Sequence, residues 1–141
     1  MAEPDQRLYF LLQRAAHRLR TDADRRCLAA AGVTTAQLGA LFALRDRPGI
    51  TQQRLAHTLG LGESAITSLV ARLTRAGLVT KDTHPSRHRA VVLNLTSAGE
   101  ESLAAARPEI DRFNAEARTL LGQEGFDGVV EALRRLALWE P

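Results

Sequence analysis

A single cysteine, Cys27, occurs in the 141 residues. That excludes a disulfide-stapled scaffold, and no cysteine–histidine spacing suits a structural zinc, so neither metal nor cofactor is expected. Also missing is any apolar run near the ~18–20 residues that cross a bilayer. The first apolar stretch, Leu8 to Leu12, is too short and too acid-flanked for a secretion signal. The cytoplasm is therefore the expected compartment, and no membrane is expected as a partner. No glycine-rich phosphate loop, paired acids or nucleophile–base motif appears. His17, His57, His84 and His88 have no evident carboxylate partner in sequence, so an enzyme is not expected. Lysine is nearly absent too, Lys81 standing alone against 18 arginines.

What is present reads as an ordinary folded protein, 45% hydrophobic and 25% charged. Its length suits one domain, or one domain with an oligomerisation extension. The charge is uneven. Arg45 to Leu95 holds eight basic and three acidic residues, net +5, while the rest holds 11 basic and 13 acidic, net −2. A basic middle between mildly acidic flanks points to a polyanion meeting the middle and not the flanks.

Apolar residues recur at helical spacing over 6–31 (Leu8, Leu11, Leu12, Ala15, Leu19, Ala23, Cys27, Ala30), predicting a helix about 36 Å long that Gly32 ends. Thr34 and Gln37 form a capping-box pattern that opens a second helix, which stops at Arg47-Pro48-Gly49. Thr51 caps a short third helix that Gly60 breaks, and a fourth runs from about Glu63 to Ala76. The period then falls to two, predicting strands at 78–81 and 90–95 around the basic loop 82–89. A helix from the cap Thr96 to Leu121 is expected to kink at Pro108. The segment Gly122-Gln123-Glu124-Gly125 separates it from a last helix through Phe126, Val129, Val130, Leu133 and Leu136.

Short helix, glycine turn, helix and basic hairpin make the arrangement of a winged helix-turn-helix. On a helical wheel Ile66, Leu69, Val70 and Leu73 cluster, while Ser64, Ser68, Ala71 and Arg75 lie opposite, flanked by Thr67 and Arg72. That polar side is small enough to enter a major groove about 12 Å wide. Lys81, His84, Arg87, His88 and Arg89 crowd the loop. Their mutual repulsion is relieved opposite a phosphate track.

The chain resembles the multiple-antibiotic-resistance regulator (MarR) family of dimeric winged-helix repressors. The residues that carry the resemblance are Leu55-Ala56, Gly60-Leu61, Val70-x-Arg72-Leu73-x-x-x-Gly77-Leu78-Val79 and Arg89-Ala90-Val91-Val92-Leu93-x-Leu95-Thr96-x-x-Gly99. The resemblance implies a mainly α (α+β) fold. Residues 1–33 would form an N-terminal dimerisation helix, 34–96 the winged DNA-binding domain, and 97–141 the C-terminal dimerisation helices. It implies a homodimer that regulates transcription from a pseudo-palindromic double-stranded DNA operator, as a repressor.

Base discrimination is then expected from Ser64, Thr67 and Ser68. Arg54, Arg72, Arg75, Lys81, Arg87, His88 and Arg89 are expected to hold phosphates or the narrow minor groove. The wing departs from the family's usual Pro-x-Asp-Arg-Arg: it reads Pro85-Ser86-Arg87-His88-Arg89, which removes the tip's acid unless Asp82 replaces it from the opposite strand. Small phenolic or aromatic effectors are the family's other partner. Arg14, His17, Arg18 and Arg45 are the candidate donors. Some relatives sense peroxide through a cysteine early in the first helix, where this chain has Tyr9. Cys27 is therefore a weaker redox candidate, and a winged-helix protein-interaction module is the remaining alternative.

Overall fold

Residues 7–83, 86 and 90–140 are described in the computed structural model of this chain. The elements follow from local sequence signals. Helix α1 (Leu8–Ala31) ends at Gly32, whose amide donates to the Leu28 carbonyl. Helix α2 (Thr35–Asp46) opens with the full capping box. The Thr34 hydroxyl accepts from the Gln37 amide, and the Gln37 side chain accepts from the Thr34 amide at 2.8 Å.

The elbow between these two helices is fixed a second time. Thr35 donates both its amide (2.7 Å) and its hydroxyl (2.6 Å) to Asp24 Oδ1. Those two bonds, the hydroxyl's first, hold the Asp24 carboxyl below its ordinary value of 3.8.

After α2 the chain crosses a two-residue strand, β1 (Ile50–Thr51), then forms α3 (Gln52–Leu59) and α4 (Glu63–Arg75). Thr51 serves twice. It pairs in the sheet, and its hydroxyl caps α3 by accepting from the Arg54 amide. Gly60 turns the chain between α3 and α4 at φ +67°, a left-handed angle that a side chain would strain.

Strands β2 (Val79–Thr83) and β3 (Val91–Leu95) complete an antiparallel sheet in the order β1-β3-β2. The register pairs Val79 with Leu95 and Thr83 with Val91 on one side of β3, and Ile50 with Leu93 on the other. The sequence signals a two-stranded hairpin. The third strand is too short to show a period of two, and its Thr51 reads equally as a helix cap. On β2 only Val79 is buried, and Thr80 to Thr83 are exposed. Lys81 shares a face with Val79, so the hairpin runs off the helical core into solvent.

Contacts divide the chain into two units, residues 1–106 and 107–141. In the first, α2, α3 and α4 close over the sheet around Leu41, Leu44, Leu55, Val70, Leu73 and Leu93, each at most 1% exposed. The start of α5 (Ser97–Ala137) is held to the head of β2. Thr96 donates its hydroxyl to the Gly77 carbonyl (2.7 Å) and its amide to the Leu78 carbonyl (3.1 Å), and the same hydroxyl accepts from the Gly99 amide. A Cβ on Gly99 would lie 2.3 Å from the Leu78 carbonyl oxygen, so only glycine permits this approach.

In the second unit, residues from Arg107 to Ala137 are helical except at Gly122 (φ 75°, ψ 160°). Helical angles continue through Pro108, and the non-helical residue falls at Gly122, within the 122–125 segment expected to separate the last helix. Ala104, whose carbonyl lacks the proline's amide, is exposed, so that oxygen can be satisfied by water. Across the Gly122 break the Arg118 guanidinium stacks 4.4 Å from the Phe126 ring. Among the described residues no single helix is long and apolar enough to cross a membrane.

Candidate nucleic-acid interface

The two sides of α4 differ completely. Ile66, Leu69, Val70 and Leu73 are 2%, 9%, 1% and 0% exposed, while Ser64, Thr67, Ser68, Ala71, Arg72 and Arg75 all face solvent. The apolar side fixes the helix's rotation, because turning it would bring four large side chains into water at roughly 1.5–3 kcal/mol each. A rigid helix with a small, polar outer face results. Glu63, Ser64, Thr67, Ser68 and Ala71 line one open concavity of about 590 Å³ on it.

The polar groups on this face are not equivalent. Thr67 donates its hydroxyl to the Glu63 carbonyl at 2.8 Å, whereas Ser64 and Ser68 make no hydrogen bond to a described residue. Arg72 and Arg75 occupy the last turn, where their charge also suits the helix dipole. Arg54 lies exposed on the first turn of α3, beside Arg47. These two arginines with Pro48, Gly49, Ile50 and Thr51 line a shallow concavity of about 370 Å³. Arg47 was not among the residues expected at the interface. The signal that finds it is spatial, since β1 folds the chain back so that residues 47 and 54 share a surface.

On the wing, Lys81 and Asp82 are exposed on β2. Arg87, His88 and Arg89, like His84 and Pro85, lie outside the described residues.

The candidate effector donors are distributed over two elements. Arg14, His17 and Arg18 are exposed on α1 at the i, i+3, i+4 spacing that places them on one side of a helix. Arg45 is exposed in the last turn of α2. Two of the four are engaged with rings of their own helices: Arg14 lies 5.7 Å from the Phe10 centroid and Arg45 5.0 Å from that of Phe42. Cys27 is 5% exposed, the environment of a packed thiol and not of an open reactive one.

Comparison with known proteins agrees with this geometry. The MarR family pattern matches residues 31–90. A transcriptional regulatory protein for the hcr operon of Thauera aromatica is 29% identical over 105 residues, which cover 74% of this chain and 63% of that protein. The chain thus spans less than two thirds of that relative's length. The PcaV transcriptional regulator of Streptomyces coelicolor, solved in complex with its natural ligand, aligns with a TM-score of 0.78 at 28% identity, covering 97% of both chains. The transcriptional repressor CouR bound to p-coumaroyl-CoA aligns with a TM-score of 0.84 at 28% identity, covering 94% of this chain and 93% of that one. CouR on a 23-mer DNA duplex gives 0.83 at 27% identity, covering 97% and 99%.

A winged helix-turn-helix with an outward polar helix is the architecture that this chain shares with those transcriptional regulators. Residues 31–90 carry the MarR family pattern, and the chain is similar to transcriptional regulators over most of its length.

Proposed function

We propose that this chain acts as a homodimeric repressor that occupies a pseudo-palindromic operator and leaves it when a small phenolic ligand binds. The observation that carries the proposal is the outward Ser64, Thr67, Ser68, Arg72 and Arg75 side of α4, set by a fully buried opposite side. In this reading the hydroxyls meet base edges, while Arg54, Arg72, Arg75 and Lys81, with Arg87, His88 and Arg89 of the wing, hold the backbone. Residues 34–96 serve DNA, and residues 1–33 and 97–141 serve a second copy.

The dimer is supported by apolar side chains that a single chain leaves uncovered. Leu8, Tyr9 and Leu19 on α1 are 50% or more exposed, as are Leu120, Leu138 and Trp139 near the C-terminus. The repressor and its release are supported by the similarity to CouR, a repressor bound to p-coumaroyl-CoA, and to PcaV with its natural ligand. Arg14, His17, Arg18 and Arg45 are the cations proposed to meet the effector.

The test is selection of duplexes from a random pool, followed by challenge with phenolic acids. The expected result is an inverted repeat with half-sites ~10 bp apart, retained less as salt rises and released by one of the acids. A chain that enriches no duplex, and whose retention on DNA ignores salt, contradicts the proposal and favours a protein-binding module.

A further inference from the structure

The two ends of the α4 polar face offer opposite hydrogen-bonding character. Arg72 and Arg75, in the last turn, only donate. Glu63, the first residue of the helix, is exposed and forms no ion pair with a described residue. Its ionised carboxylate only accepts. One turn on, Thr67 sends its hydroxyl proton back to the Glu63 carbonyl at 2.8 Å. What Thr67 shows outward is therefore oxygen lone pairs and a methyl group. Both residues line the same open concavity as Ser64, Ser68 and Ala71. The N-terminal residues of a recognition helix are those that meet base edges in a major groove.

We infer that Glu63 and Thr67 form an acceptor patch that selects cytosine at one position of each operator half-site. The inference rests on the proposal that α4 enters DNA, and it names what that helix reads there. In the major groove cytosine presents a single polar group, the N4 amino donor. Guanine presents two acceptors, thymine an acceptor and a methyl, and adenine sets its N7 acceptor beside its N6 donor. A carboxylate brought against any of these three meets a lone pair. Cytosine alone answers it with hydrogens only.

The charge makes the selection sharper. A carboxylate carried between phosphate tracks weakens binding to every sequence, and only the N4 donor offsets the loss. Specificity then comes largely from rejecting wrong bases, with Arg72 and Arg75 supplying attraction that is blind to sequence.

The experiment compares wild type, Glu63→Gln and Thr67→Val by duplex selection, then by competition among four duplexes that differ only at the assigned position. Wild type is expected to favour cytosine there by about tenfold or more. Glu63→Gln is expected to move the preference to adenine, because a carboxamide can bond N6 and N7 together, and to bind random duplex more tightly than wild type. Thr67→Val keeps the shape and removes the oxygen, and is expected to lower the cytosine preference by roughly threefold. A Glu63→Gln protein that enriches the same motif as wild type at every position overturns the inference and leaves DNA reading by α4 intact. A wild type that enriches no motif overturns that underlying reading and the inference with it.

Discussion

Between Cys27 and Ala106 lie all the buried apolar side chains among the described residues, whereas residues 107–140 bury none. The two stretches do not differ much in kind of residue. Leu120, Leu121, Val129 and Leu133 are as apolar as Ile66, Leu69, Val70 and Leu73, yet the first set is 44–85% exposed and the second at most 9%. What differs is the supply of a partner surface. The region holding α2, α3 and α4 brings its own, a three-stranded sheet against which every helix turns its apolar side. The C-terminal helix has no such surface within residues 107–140. Apolar side chains of the same kind thus close a core in one stretch and stay exposed in the other.

The comparison can be broken most forcefully by equal truncations in the two regions. Leu73→Ala removes a side chain that is 0% exposed and is expected to cost about 2–5 kcal/mol in urea unfolding, with loss of DNA binding. Leu133→Ala, at a site 46% exposed, is expected to weaken self-association about tenfold in sedimentation equilibrium, an effect of about 1.4 kcal/mol. It should also make the melting temperature depend more steeply on protein concentration. Equal losses at the two sites, both independent of concentration, would erase the distinction.

Asp24 sharpens the same comparison at the α1–α2 elbow, with a smaller expected effect. Its folded-state carboxyl titrates below the ordinary 3.8 because Thr35 donates to it twice. The stabilisation is therefore complete above that ordinary value and disappears as pH falls through the lowered one. Asp24→Asn is expected to cost about 1–2 kcal/mol at pH 7 and almost nothing at the acid end. Acid titration of the melting temperature, wild type against variant, checks this: the two curves should converge on acidification, and parallel curves would refute the assignment.

How much of this was legible beforehand depended on whether the signal was local. Caps were read correctly because they are contained in a few residues: Thr34 with Gln37, Thr51 before α3, Thr96 before α5 and Gly32 after α1. The two faces of α4 were legible for the same reason, since four buried residues at helical spacing fix its rotation. Strand β1 was not, because two residues cannot express a period and its partner Leu93 lies far along the chain. The pairing of Arg47 with Arg54 around one concavity, and the commitment of the Thr67 proton, are three-dimensional facts that no spacing encodes.

The central claim, that the outward side of α4 and its arginines contact DNA while the terminal helices do not, is tested most directly by salt dependence on a selected duplex. Wild type is expected to lose affinity linearly on a log–log plot, and Arg72→Ala and Arg75→Ala each to flatten the slope by about one unit. Arg134→Ala, in the last turn of α5, should leave the slope unchanged. A slope that responds to Arg134 and ignores Arg72 and Arg75 would contradict the account.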